Sequence, residues 1–177
     1  SGVPVIVELI RRSLYRDLIV FSTAAVFVFA LLIGLVYRDV AVVVGTFATC
    51  SIAVGSTLLI LETIGVPIGL LTANLVTIVF VLTLSHVVFL TANWTSAVAP
   101  EPGRGERRTA IMVALRDTWE GSFWSMATTL LGFASLLFTT ARPLRQLGLA
   151  GCVGTLTALA VAYSVFPAFL GHWATTR

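Results

Sequence analysis

At 177 residues the chain has the length of one soluble domain, but 58% of its residues are hydrophobic, 11% are charged and its mean hydropathy is +1.01. That balance excludes the soluble globular class and defines a membrane protein. All eleven basic residues are arginine, so the net charge of +3 rests on a few clusters rather than on a basic face, and nucleic-acid binding is excluded with it.

Residues 1–17 place Val3, Val7, Ile10 and Leu14 on one helical face, opposed by Glu8, Arg11, Arg12 and Arg16. This is an amphipathic lead-in lying on the membrane surface, without the features of a signal peptide. The chain reads as one that starts partway through a longer protein.

Charge then partitions the remainder, because an unpaired ionised group at the bilayer centre costs roughly 2.5 to 3.5 kcal/mol even on the lenient insertion scale. Charge-free runs predict transmembrane helices at about 18–37 and 40–61, joined by a tight turn at Arg38-Asp39. Glu62 ends the second at the interface. The run from Thr63 to Pro100 is trimmed by Gly65, Pro67 and Gly69 and by the interfacial pair Asn93-Trp94 to a third span at about 68–94.

Residues 95–120 form a loop that is rich in proline and glycine at first. It then carries an amphipathic helix over 109–119, with Ile111, Met112, Leu115 and Trp119 at helical spacing beside Arg108, Arg116 and Asp117. This helix is expected to lie flat. Further spans follow at about 121–141 and 146–170, then a tail over 171–177. The prediction is an all-α integral membrane protein with five transmembrane helices and two amphipathic surface helices. The arginine cluster from Arg104 to Arg116 favours a cytoplasmic 95–120 loop.

Small residues supply the packing signals. Gly148, Gly151 and Gly154 recur on the last span, and Ser125, Thr128, Thr129, Gly132 and Ser135 make a stripe on the one before it. Such residues let helix backbones approach closely, so Gly132, Gly148, Gly151 and Gly154 are expected at helix contacts. By the same reading Gly151→Leu is more disruptive than Ala158→Leu.

His86 is the strongly titratable side chain that falls deep within a span. An imidazole there can load and release a proton near neutral pH, which makes His86, with Ser85 and Thr83 beside it, a candidate proton relay. The alternative is a neutral histidine hydrogen-bonded to a hydroxyl or backbone carbonyl on a neighbouring helix, with Thr83, Ser85 and Asn93 as neutral partners nearby. Asn74, Thr72 and Thr77 are expected to bond between helices. Cys50 and Cys152 read as small buried hydrophobes with no disulfide. No catalytic constellation, metal-ligand spacing or cofactor motif occurs, so neither an enzyme nor a cofactor is expected.

Two stretches carry a family resemblance. One runs Gly132-Phe133-Ala134-Ser135-Leu136-Leu137-Phe138, then Pro143-Leu144-Arg145-Gln146-Leu147-Gly148-Leu149, Gly154 and Phe166-Pro167-Ala168-Phe169-Leu170. The other runs from Gly65-Val66-Pro67 to Asn93-Trp94. Both resemble the resistance-nodulation-division transporters, in the branch shared with MMPL lipid exporters, Patched and sterol-sensing-domain proteins. The resemblance covers nearly the whole chain and implies helices two to six of one six-helix repeat. It further implies a bacterial inner-membrane exporter of lipids or other hydrophobic compounds driven by the proton-motive force. The implied partners are membrane lipids, a hydrophobic substrate, a second six-helix repeat and an extracytoplasmic domain of the same or another chain. The family's fourth helix usually carries an Asp-containing pair, and Ser85-His86 stand there in this chain. A rival reading is a non-transporting, sterol-sensing-like module that binds lipid and regulates a partner.

Overall fold

The computed structural model describes residues 20, 23–24, 27–31, 33–35, 40–66, 70–97 and 104–172. It divides into two units, Ser1–Arg38 and Asp39–Arg177. In the first unit the described residues are helical and fall inside the first predicted span. The amphipathic lead-in at 1–17, the segment at 98–103 and the end of the tail at 173–177 lie outside the described residues.

The second unit is a helical bundle. Helix α1 spans Val40–Thr63, α2 Leu70–Ala97, α3 Arg104–Ser135, α4 Arg142–Ser164 and the short α5 Phe166–His172. A 3-10 turn at Leu136–Phe138 closes α3. Among the described residues four segments are long and apolar enough to cross a membrane: Val40–Thr63, Asn74–Ala97, Arg108–Phe138 and Arg142–Leu170. The protein is therefore an all-α, multi-pass membrane protein.

The end of α1 follows from its glycine. Gly65 has φ +74°, a conformation that costs an L side chain but not glycine. Its N–H donates to Glu62 O at 3.0 Å, and the Val66 N–H donates to Leu61 O at 3.0 Å. This is the Schellman pairing, and Val66 and Leu61 pack in the same core cluster, as that motif favours. Gly65-Val66 is thus a helix stop with a defined mechanism.

The structure corrects one boundary. The sequence reading splits a flat surface helix at 109–119 from a span beginning at Gly121, whereas α3 runs through both without interruption. The split rested on a change of polarity, and polarity does not break a helix. Gly121 costs about 1 kcal/mol relative to alanine, too little to interrupt a helix packed on either side of it, and no proline intervenes. At 1.5 Å per residue α3 is about 48 Å long, against a hydrocarbon core of roughly 30 Å.

Its charged N-terminal turns therefore project past the apolar layer as a continuation of the same rod. The aromatic cluster that follows suits the boundary. Trp119 stacks on Phe123 with centroids 6.2 Å apart, and Phe123 meets Trp124 at 5.9 Å. All three rings are exposed, Trp119 by 49% and Trp124 by 62%. From Trp119 to the exposed Phe138 the rise is about 29 Å. Trp94 differs: it is 2% exposed, buried in the bundle rather than set at a lipid interface. In single-tryptophan variants, brominated lipid is expected to quench Trp119 and Trp124 strongly and Trp94 weakly. Equal quenching of Trp94 would contradict its burial.

Helix α4 is the centre of the unit, packing against α1, α2 and α3. Its span is 56% buried, against 11% for that of α3. Glycine makes this density attainable. A Cβ on Gly148 would stand 2.8 Å from Phe133 O and 2.9 Å from Leu136 Cβ, and one on Gly151 would overlap the Phe133 ring. At Gly154 it would meet Val79 Cγ2 at 2.5 Å. Gly132 is different: it is exposed, and among the described residues nothing lies within 4 Å of where its Cβ would be. Its stripe faces outward, with Ser125, Thr128 and Ser135 also exposed. Ala158 is fully buried in the core, so it is not the permissive position the sequence reading made it.

Val165 keeps helical dihedrals and its N–H donates to Val161 O, and α5 follows after a one-residue break in the hydrogen-bond ladder. Pro167 lacks an N–H, which leaves the Tyr163 carbonyl without its helical donor and accounts for the break. Phe166 and Leu170 are buried, and the Phe169 side chain lies against Gly45 of α1.

Candidate functional site

Buried hydroxyls set the background against which His86 stands. Thr46, Thr49 and Thr57 on α1 donate to the carbonyls four residues earlier, as do Thr83 and Thr91 on α2 and Thr155 and Thr157 on α4. A threonine that bonds its own helix is already satisfied in an apolar medium and needs no neighbour. The bundle interior is therefore mainly apolar, and most of its buried hydroxyls are already satisfied.

The three relay candidates separate on α2. Thr83 is buried and its hydroxyl donates to Val79 O at 2.8 Å. His86 is also buried, at 4% exposure, on the inward side of the helix. Ser85 is exposed, since one residue is a 100° rotation on an α-helix. It lies on an outward stripe with Asn74, Val81, Phe89, Ala92 and Ser96. Any second bundle packing on that stripe would meet Ser85 and not the imidazole.

Nor are the local partners free. Asn93 donates from Nδ2 to Thr118 Oγ1 of α3 at 2.7 Å, and the Thr118 hydroxyl donates onward to Ala114 O. Among the described residues the His86 ring has no hydrogen bond and no acidic neighbour in an ion pair. Asn93–Thr118 is a cross-helix side-chain bond that sequence reasoning assigned to other residues. Asn74 is instead exposed. The polarity of Asn93 and Thr118 was visible in the sequence, but their pairing depends on the α2–α3 register.

Both cysteines are free, Cys50 buried and Cys152 half-buried with its thiol 3.9 Å from Leu130 O. Among the described residues no three histidine, cysteine or acidic side chains gather at one point.

These features define an apolar multi-pass bundle with a buried intramembrane histidine, closely packed on a glycine-faced central helix. The MMPL family model matches residues 1–176, and the chain belongs to the MMPL family. No curated protein and no solved structure matches the chain.

Proposed function

We propose that the chain is the membrane part of an exporter that moves lipids or other hydrophobic compounds across a bacterial inner membrane, driven by protons. The observation that carries this reading is the MMPL match along essentially the full chain, since that family is one of membrane transporters. The bundle's form supports it. Substantial apolar surface on α1 and α3 is left uncovered, as expected of a half that works against a second six-helix repeat. An extracytoplasmic domain, in the same or another chain, completes the assembly. In this reading His86 takes up and releases the driving proton.

A second reading has an observation in its favour. A histidine is neutral when empty and cationic when loaded, the reverse of a carboxylate, and here it faces its own bundle without an acidic partner among the described residues. That arrangement suits a non-transporting, lipid-binding or regulatory module. Substrate efflux from vesicles with an imposed pH gradient decides between them. Gradient-dependent efflux supports the exporter, and lipid binding without efflux supports the module.

Topology is tested separately. The 95–120 segment, which contains the start of α3, is expected to face the cytoplasm because it holds the densest arginine cluster. In a Cys50→Ala, Cys152→Ala background, Gly105→Cys should resist a membrane-impermeant thiol reagent added to intact cells and react once the membrane is opened. Ready labelling of intact cells would reverse the assigned orientation.

A further inference from the structure

Three buried polar groups near one end of the bundle have no hydrogen-bond partner among the described residues: Trp94 Nε1 on α2, Ser122 Oγ on α3 and the Tyr163 hydroxyl on α4. Trp94 and Ser122 are 2% and 4% exposed. Nearby polar side chains are already engaged, Asn93 with Thr118, Thr118 with Ala114 O and Thr91 with Val87 O.

Two contacts between helices set the relative levels of the three. The Asn93–Thr118 bond sets α2 against α3, and the edge contact of Trp119 with Tyr163, centroids 5.3 Å apart, sets α3 against α4. Trp94 adjoins Asn93, and Ser122 lies one turn beyond Thr118. Helical side chains lean toward their own N-terminus. Because α3 runs opposite to α2 and α4, Trp94 and Tyr163 lean toward the level of Ser122, and Ser122 leans back toward theirs. Tyr163 reaches Ser122, but not in hydrogen-bonding geometry.

Their chemistry is complementary to water. An indole N–H only donates, so it cannot be satisfied by rotating onto a helix carbonyl as a hydroxyl can, whereas serine and tyrosine hydroxyls both donate and accept. A water oxygen accepts a hydrogen bond from the Trp94 Nε1–H, and the same water donates to one hydroxyl and accepts from the other. Three bonds are the usual complement of a buried water.

We propose that Trp94, Ser122 and Tyr163 enclose a hydration site that holds ordered water between α2, α3 and α4. By the α2–α3 register Ser122 stands opposite about position 89, about 4.5 Å of helix rise from His86. The site, bounded by Ser122 at one side and Trp94 at the other, thus lies about one to two helical turns from His86 along the bundle. Its role as a proton entry to His86 rests on the relay reading above; the site itself does not.

The test uses the full-length protein in lipid bilayers. Radiolytic hydroxyl labelling, which modifies side chains touching bound water, should mark Trp94 several-fold above the similarly buried Phe166. Trp94→Phe and Tyr163→Phe should each lower the melting temperature by a few degrees. The double variant should lose less than the sum, because the first substitution already releases the shared water. Labelling of Trp94 no greater than that of Phe166, a Trp94→Phe variant as stable as the parent, or strictly additive losses would each overturn the site. Normal gradient-driven efflux by His86→Gln would instead remove the relay and leave the hydration site standing.

Discussion

Gly151→Leu and Gly148→Leu are expected to cost the bundle far more than Gly132→Leu, although all three replace glycine in an apolar helical segment. Overpacking a closed contact costs about 1 to 3 kcal/mol and occasionally more. Leucine's better helix propensity returns less than about 1 kcal/mol. At Gly148 and Gly151 the packing term wins, because the added Cβ alone already meets Phe133 and Leu136. At Gly132 nothing among the described residues opposes the propensity gain.

The two sensitive positions differ in whether they can be relieved. The obstacle at Gly151 is the Phe133 ring, so Phe133→Ala should recover part of the loss in the Gly151→Leu background. The nearest atom at Gly148 is the Phe133 carbonyl oxygen, which no side-chain substitution removes, and the same change should not rescue Gly148→Leu. Thermal unfolding in detergent and steady-state membrane level report both effects. Ala160→Leu serves as the permissive control on α4, because Ala160 is exposed whereas Ala158 is not. Equal loss at Gly132 and Gly151 would refute the α3–α4 contact.

His86→Gln is expected to leave a folded, membrane-inserted protein whose pH-gradient-driven efflux falls to the level of a control without a gradient. Glutamine keeps much of the volume and hydrogen-bonding capacity of the imidazole but takes up no proton at physiological pH. The structure sharpens the companion substitution. From sequence, His86→Leu is expected to cost roughly 1 to 3 kcal/mol by orphaning a buried partner. With Thr83 and Asn93 both engaged elsewhere, no such partner is present among the described residues, and His86→Leu should unfold close to the parent temperature. Loss of efflux in both variants, with stability retained, isolates proton uptake as the function of the residue. Full efflux by His86→Gln would remove the relay and leave His86 as part of the packing.

Much of this architecture was legible in the sequence because the bilayer imposes it. Charge cannot be left unpaired in hydrocarbon, and backbone groups there must be satisfied internally, so charge-free runs of about twenty residues become helices wherever they fall. The residues at Val40–Thr63 and Leu70–Ala97 follow that rule to within a few positions, with Gly65 marking the stop between them. What sequence periodicity misjudged at Gly121 was continuity, since a change from charged to apolar composition moves a helix out of water without ending it.

The faces were decided by tertiary structure alone. Gly132 and Gly151 carry the same local signal, yet one is exposed and the other is closed by Phe133. Ser85 and His86 are neighbours in sequence and lie on opposite sides of the packing boundary. In a span that is apolar all round, no amphipathic stripe announces which side turns inward, because lipid and protein interior are almost equally apolar. The choice falls to side-chain shape across helices, to small residues where backbones approach and to pairs such as Asn93 and Thr118 that meet only in the correct register. The sequence by itself determined the membrane class, the helix stops and the presence of an intramembrane histidine, and helix packing determined what that histidine faces.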